Sequence, residues 1–296
     1  KLIEESMYEL GFKPSYQAFR TQASSMGNAF YASNNHGTVC NGGMAMAAVA
    51  FMDVYPEEGA WFVSGTMKGM EFNIDKWYTG AWYEGAGYWE YALGYTVKFI
   101  ESLRGMFGTD FGFGSLQGLG IAAEKEIGMH GALGIYNYAD AGLGKYYSPE
   151  MMWLGSEFNN SKVATKVVKE YNGKFPQNHR QYGESKTLAL LWYDPEMIGE
   201  DATFEKDFFY EDLDVITMRE GWEDTDTFVG VKAGVLNEAH SQLDSGSFIF
   251  ESDGIRWLQD MGAGSYVDGY FESNSGGRRW QFIQNRAEGH STVTVN

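Results

Sequence analysis

The spacing of apolar residues changes near residue 204, and this change limits the folds open to the chain. Before it, apolar residues recur at helical spacing between glycine-rich turns. After it, apolar and polar residues alternate, as they do in half-buried strands. Helices followed by strands argue against a doubly wound sheet, in which the two alternate. We therefore predict an α+β multidomain protein with a helical domain over 1–203 and an antiparallel β domain over 204–296.

Individual elements follow from the same patterns. A buried helix is predicted over 42–52, and paired antiparallel helices joined by glycine-rich loops suit an α/α toroid. Further helices are predicted over 91–103, 115–126, 148–158, 161–171 and 184–193. Strands are predicted over 215–219, 227–231, 247–251 and 255–258.

Charge and cysteine content exclude several classes of protein. The net charge of -18 disfavours nucleic acid as a partner, because phosphate binding requires clustered Lys and Arg. Cys40 is the only cysteine, which excludes an internal disulfide and a thiolate metal cluster. No apolar run reaches the length of a membrane span. The first residues lack the form of a signal peptide and the last read as a strand that simply stops, so we expect a fragment with both domains partial.

Histidines are the most informative polar residues. His36 lies in the segment Asn34 to Thr38, immediately before the buried helix, where backbone donors and the helix dipole favour a bound carboxylate. Capping of the helix by Asn35 or Thr38 explains the same residues without a functional histidine. His130 and His179 are expected to be surface histidines.

Four segments of the sequence, in order, carry a family resemblance. They are NNHGT at 34–38, WYEGAGYWEY at 82–91, HSQLDSGSFIFESDGIRWLQDMG at 240–262 and NRAEGHSTVTVN at 285–296. Together they resemble the heparinase II/III-like polysaccharide lyases, with alginate lyases of similar build included. The resemblance implies an incomplete α/α toroid followed by an antiparallel β-sandwich, which agrees with the pattern of helices and strands.

The resemblance also implies a reaction and the residues that perform it. Such enzymes abstract the C5 proton of a uronic acid and expel the sugar linked at C4. Asn35 is expected to neutralise the carboxylate, and His36 and a tyrosine to exchange the protons. Tyr91 fits the family pattern better than Tyr88, which is kept in reserve. His240 corresponds to a second catalytic histidine.

Substrate-binding and metal-binding residues complete the predicted site. Relatives with a structural zinc place a histidine where Gln242 stands, and glutamine is the weaker zinc ligand, so a zinc held by Gln242, Asp260 and His290 is left open. No cofactor is expected for catalysis. Arg278 and Arg279 could bind sulfate or carboxylate groups, or could be ordinary surface arginines. The predicted substrate-binding residues are Asn34, Trp82, Glu84, Arg278 and Arg279.

Two other functions compete with the lyase. A toroid glycoside hydrolase would need two carboxylates at one bond, and Glu84 and Glu90 are its candidates. A noncatalytic glycan-binding protein that has kept the fold is the other alternative. For the lyase, the expected partner is an acidic polysaccharide or oligosaccharide, with a homodimer left open. The resemblance implies a periplasmic or secreted location.

Overall fold

The computed structural model describes residues 1–16, 29–74, 77, 79–144, 147–171, 185–200, 202–234, 236 and 238–293. Helices precede strands along the chain, as the sequence predicts. The α-helices are α1 (Leu2–Ser6), α2 (Asn35–Ala50), α3 (Pro56–Ile74), α4 (Ala86–Phe107), α5 (Gln117–Gly128), α6 (Glu150–Glu157), α7 (Ser161–Tyr171) and α8 (Ser185–Leu191). The strands are β1 (Phe208–Tyr210), β2 (Val215–Arg219), β3 (Phe228–Lys232), β4 (Ser247–Ser252) and β5 (Ile255–Leu258).

The chain divides into two compact units. The first contains residues 1–78 and 91–116, and the second contains residues 79–90 and 117–296. Helices α5 to α8 and all five strands therefore belong to the second unit. The last α-helix, α8, ends at Leu191, and the first strand, β1, begins at Phe208. A domain boundary near residue 204 stays a prediction.

Within the first unit, α2 and α3 pack closely through small residues. A Cβ added to Gly69 of α3 would lie 2.2 Å from Oδ1 of Asn41 on α2. The Asn41 amide donates hydrogen bonds of 2.7 Å to the carbonyl oxygens of Phe30 and Gly37. The glycines that permit this approach also interrupt the apolar stripe of α3, which explains why the sequence pattern did not predict this helix.

Five antiparallel strands form one sheet in the second unit, in the order β1-β2-β3-β4-β5. Thr217 lies opposite Gly230, and Gly230 lies opposite Ile249, which fixes the register of the central strands. A Cβ on Gly230 would lie 2.5 Å from the Tyr136 ring, so glycine leaves room for that ring. The hydroxyl of Thr217 donates a 2.7 Å hydrogen bond to the carbonyl oxygen of Gly128, which ties the sheet to the end of α5.

Burial follows the alternation from which the strands were predicted. In β2 the residues Val215, Thr217 and Arg219 are buried, and the intervening Ile216 and Met218 are exposed. In α7 the buried residues recur at helical spacing. The predicted α+β class, helices followed by antiparallel strands, is confirmed.

Candidate functional site

The Asn34 to Thr38 segment forms the beginning of α2. Asn34 is the N-cap, and its side chain accepts a 3.1 Å hydrogen bond from the backbone N–H of His36. The capping residue is thus Asn34, not Asn35 or Thr38. Thr38 instead donates from its hydroxyl to the carbonyl oxygen of Asn35. The Asn35 side chain is buried and the His36 side chain is exposed.

Tyr91 belongs to the same first unit as Asn35 and His36. Its ring meets the Tyr95 ring edge-on, with the ring centroids 5.4 Å apart. Burial raises the pKa of the Tyr91 hydroxyl, the neighbouring Tyr95 and Cys40 add to the rise, and the charge of Lys98 opposes it.

The second unit brings Tyr88 and His240 together. Their rings are stacked with centroids 3.6 Å apart and planes inclined by 17°. The His240 and Phe271 rings form a T-shaped pair, and the Tyr88 hydroxyl forms a 2.6 Å hydrogen bond with the Tyr266 hydroxyl. These contacts restrict the His240 ring to one plane beside the Tyr88 phenol.

Glu84 lies near the Nε2 atom of the His240 ring. Its Oε1 is 4.0 Å from His240 Nε2, and its Oε2 accepts a 2.8 Å hydrogen bond from the Trp82 indole. Both Glu84 and Trp82 are fully buried. The loop turns at Gly85, whose φ of 91° favours glycine and whose added Cβ would lie 2.9 Å from the Tyr138 carbonyl oxygen. Trp82 therefore supports the carboxylate from inside the protein.

A buried carboxylate, Asp140, holds the His240 segment. Its Oδ2 is 3.1 Å from His240 Nδ1, and its Oδ1 accepts hydrogen bonds from the Gln242 amide at 2.8 Å and the Tyr270 hydroxyl at 2.7 Å. The Arg279 guanidinium contacts both oxygens at 3.1 and 3.2 Å. We call Asp140, His240, Gln242, Tyr270 and Arg279 the Asp140 cluster.

The pKa values around His240 are shifted in opposite directions. Burial raises the pKa of Tyr88 to about 12, and the carboxylates of Asp140 and Glu84 add to the rise against the hydrogen bond with Tyr266. Burial by itself would raise the pKa of Asp140 as well. The hydrogen bond from His240 and the charge of Arg279 outweigh it and lower the pKa of Asp140 below its ordinary value. The tyrosine is therefore protonated and the aspartate ionised at neutral pH.

The two predicted anion-binding arginines are neighbours with different surroundings. Arg279 is 2% exposed, and besides Asp140 it donates to the carbonyl oxygens of His240 and Ser241. Arg278 is exposed and pairs with Asp268 and Glu272. The Arg279 guanidinium therefore donates its hydrogen bonds to groups inside the protein. A role in binding substrate stays a prediction for both Arg278 and Arg279.

The residues implied for a structural zinc are only partly gathered. His290 Nδ1 and Asp260 Oδ2 are 3.0 Å apart and bond to each other. Gln242 turns its amide nitrogen to Asp140 and to the carbonyl oxygen of Gly262. Across the described ranges, no three His, Cys, Asp or Glu side chains are grouped so that they could hold a metal ion. Structural zinc takes four ligands, usually Cys and His, and a zinc held by Gln242, Asp260 and His290 stays a prediction.

A second buried acidic group lies apart from these contacts. Glu90, Glu126 and Glu150, which we call the glutamate cluster, are all buried. Burial raises the pKa of Glu126 to about 8, and it raises the pKa of Glu90 well above its ordinary value, with the neighbouring carboxyls adding to the effect on Glu90. His130 was predicted at the surface, but it is buried. Its ring nitrogen forms a hydrogen bond with the Glu126 carbonyl oxygen, which satisfies this polar group inside the protein. His179 lies outside the described residues.

Comparison with known proteins agrees with the resemblance of the two C-terminal segments, at 240–262 and 285–296. Residues 207–296 match the family model described as heparinase II/III-like, C-terminal. Over these residues the chain is similar to that family. Among curated proteins, no sequence matches the chain.

Solved structures of similar fold extend the comparison over both units. Heparan sulfate lyase HepC from Pedobacter heparinus is 16% identical, with a TM-score of 0.56 over 95% of this chain and 40% of that one. A heparinase III gene product is 20% identical, with a TM-score of 0.57 over 91% and 38%. Another structure named heparinase III is 14% identical, with a TM-score of 0.55 over 97% and 46%. The likeness shows the fold, and the chain spans less than half the length of these structures.

Sequence reasoning did not find Asp140, Tyr266 or Tyr270. Asp140 stands in a short irregular segment, and the structure alone shows that its carboxylate reaches residues about a hundred positions away. A left-handed backbone at Ala139, with φ of 60°, precedes it and has no signal in a sequence without glycine there.

In the part of the chain that the structure describes, every helix is too short or too polar to span a bilayer.

Proposed function

We propose that the protein is a polysaccharide lyase that cleaves a uronic-acid-containing glycan by β-elimination. The observation that carries the proposal is the Tyr88 phenol stacked on the His240 imidazole beside Glu84. An elimination needs a proton donor for the leaving oxygen beside the groups that bind the sugar, and the Tyr88 phenol in contact with His240 supplies one. The family of residues 207–296 and the lyases of similar fold support the same reaction.

The residues divide the reaction between them. Asn35 donates hydrogen bonds to the uronate carboxylate and stabilises the negative charge that develops on it. His36 takes the C5 proton, the bond between C4 and the leaving oxygen breaks, and a C4–C5 double bond forms. His240 contacts the sugar and holds the leaving side. The roles of Asn35 and His36 rest on the family resemblance.

Tyr88 is assigned as the acid that protonates the leaving oxygen, in preference to Tyr91. With a pKa of about 12, the Tyr88 phenol holds its proton at neutral pH and can donate it, whereas it would be a poor base. Tyr88 contacts the second catalytic histidine, and Tyr91 packs against Tyr95. None of these roles requires a cofactor.

The substrate is an acidic polysaccharide or oligosaccharide of uronic acid. Exposed Arg278 offers a guanidinium for its carboxylate or sulfate groups, while buried Arg279 and Trp82 support the site from within. Such glycans lie outside cells, so we place the protein in the periplasm or outside the cell. A glycoside hydrolase is not favoured, because Glu84 contacts Trp82 and His240 while Glu90 belongs to the glutamate cluster.

Ultraviolet absorbance of the unsaturated product tests the proposal. The protein is incubated with heparan sulfate, heparin, alginate and other uronans, and the release of unsaturated ends is followed. We expect Tyr88→Phe to lower kcat by about 100-fold, since it removes the donor of the leaving-group proton. Tyr91→Phe is the matched control and should retain most of the activity.

Three outcomes decide between the alternatives. Saturated ends, released from the same glycans with consumption of water, would replace the lyase by a hydrolase. Binding of uronans without release of any ends would indicate a glycan-binding protein. A large loss of activity in Tyr91→Phe with little loss in Tyr88→Phe would exchange the roles of the two tyrosines.

A further inference from the structure

Asp140 contacts the polar side chains of His240, Gln242, Tyr270 and Arg279. Its Oδ2 contacts His240 Nδ1, and its Oδ1 accepts from Gln242 and Tyr270. Arg279 supplies a buried positive charge to both oxygens. A carboxylate with this many donors stays ionised and acts only as an acceptor.

The segment that carries Asp140 is itself fixed. Asn137 donates from its side chain to the carbonyl oxygen of Asp260 at 3.1 Å, and the backbone N–H of Ala263 donates to the carbonyl oxygen of Ala141 at 3.0 Å. Gly262 passes so close that an added Cβ would lie 2.2 Å from the Ala141 carbonyl oxygen. Asp140 is therefore held on both sides in sequence, and its oxygens have little freedom to move.

His240 is held in an unusual backbone conformation. Its φ is 64° and that of Ala139, next to Asp140, is 60°. Non-glycine residues seldom adopt this left-handed region, because it costs conformational energy. The surrounding contacts must supply this energy at both ends of the bond between Asp140 and His240. Such strain is typical of residues placed for function.

We propose that Asp140 is a positioning residue that keeps the proton of His240 on Nδ1 and fixes the plane of the ring. Nε2, on the side of Glu84, is then the unprotonated nitrogen, with which His240 contacts the sugar. This role rests on the proposed function, in which His240 contacts the sugar. Asp140 itself does not touch the substrate.

Asp140→Asn tests the assignment. The Arg279 guanidinium would attract the amide oxygen of the new side chain, which turns the amide N–H groups toward His240 Nδ1 and favours the tautomer with the proton on Nε2. We expect nitrogen NMR of ¹⁵N-histidine-labelled protein to show Nδ1–H in the wild type and Nε2–H in the variant. The signal is assigned by its loss in His240→Gln. In the lyase assay, kcat should fall by about 10- to 100-fold with KM changed less than about threefold.

Tyr270→Phe is the structural control. It removes one hydrogen bond to Asp140 and leaves the contact with His240 in place. We expect it to lower the midpoint of urea unfolding while the His240 tautomer stays Nδ1–H. If the role of Asp140 were purely structural, Asp140→Asn and Tyr270→Phe would both lower the stability, and neither would change the His240 tautomer.

Two results would overturn the inference. One is a wild-type His240 that carries its proton on Nε2, which can be measured even if Asp140→Asn does not fold. The other is a folded Asp140→Asn variant that keeps both the Nδ1–H tautomer and its kcat. Absence of lyase activity in the wild type would instead overturn the proposed function, and the tautomer would still decide whether Asp140 sets the ring.

Discussion

The Asp140 cluster and the glutamate cluster bury acidic side chains in the same unit but solve the problem in opposite ways. Asp140 is surrounded by donors and by the charge of Arg279, which lower its pKa despite burial. Glu126 and Glu90 lie among other carboxyls, and burial raises their pKa values. Burial by itself therefore does not decide whether a carboxyl group is charged. The hydrogen-bond donors and charges around the carboxyl group determine whether it is ionised.

The two clusters therefore suit different roles: the Asp140 cluster can position a side chain for chemistry, and the glutamate cluster packs in the core. An ionised, fully bonded Asp140 can hold a histidine ring by its Nδ1–H. Protonated glutamates carry no such fixed charge, and they make the core sensitive to pH. We expect the stability of the protein to depend most on Arg279, less on the glutamate cluster and least on Arg278.

Removal of Arg279 should have the largest effect. Arg279→Ala leaves Asp140 buried without its positive partner and also strips donors from the carbonyl oxygens of His240 and Ser241. Loss of one member of a buried ion pair costs about 3–5 kcal/mol. Urea unfolding of the variant should show this loss at neutral pH. An unchanged midpoint would mean that Arg279 is not what keeps Asp140 ionised.

The glutamate cluster should make stability fall as pH rises. The pKa of Glu126 is about 8 in the folded protein against an ordinary value of 4.5, so the folded state binds more protons between these values. Its contribution is complete below about pH 4.5 and is lost as pH rises through 8. A tenfold difference in proton affinity between the folded and unfolded states is worth about 1.4 kcal/mol, which predicts a loss of a few kcal/mol between pH 5 and pH 9.

Glu126→Gln should remove much of this pH dependence. Urea unfolding at pH 5, 7 and 9 compares the variant with the wild type and with Glu124→Gln, a change on the same helix outside the cluster. The control should keep the wild-type slope of stability against pH. Parallel slopes for Glu126→Gln and the wild type would show that the cluster is not protonated in the folded protein.

Arg278→Ala should have the smallest effect. Arg278 pairs with Asp268 and Glu272 at the surface, where water screens the charges and both partners remain solvated without it. The urea midpoint should stay within the error of the measurement. A loss comparable with that of Arg279→Ala would remove the distinction between the two neighbouring arginines.

Much of the fold could be predicted because it depends on local patterns. Alternation in 215–219 and helical spacing in 161–171 correspond to β2 and α7. The sequence did not predict α3, because its glycines serve contacts with another helix and break the stripe. It placed His130 at the surface, because polar and glycine neighbours in sequence do not reveal the Glu126 carbonyl oxygen beside the ring.

The sequence by itself determined the order of helices and strands, the likeness of residues 207–296 to the heparinase II/III-like family and the presence of His240, since these follow from residue type and spacing. The tertiary structure decided which tyrosine meets His240 and which carboxylate bonds to its Nδ1. It also decided that Arg279, and not Arg278, is buried in an ion pair. The physical reason is that charge state and ring orientation depend on donors brought from distant parts of the chain, and spacing along the sequence does not encode those distances.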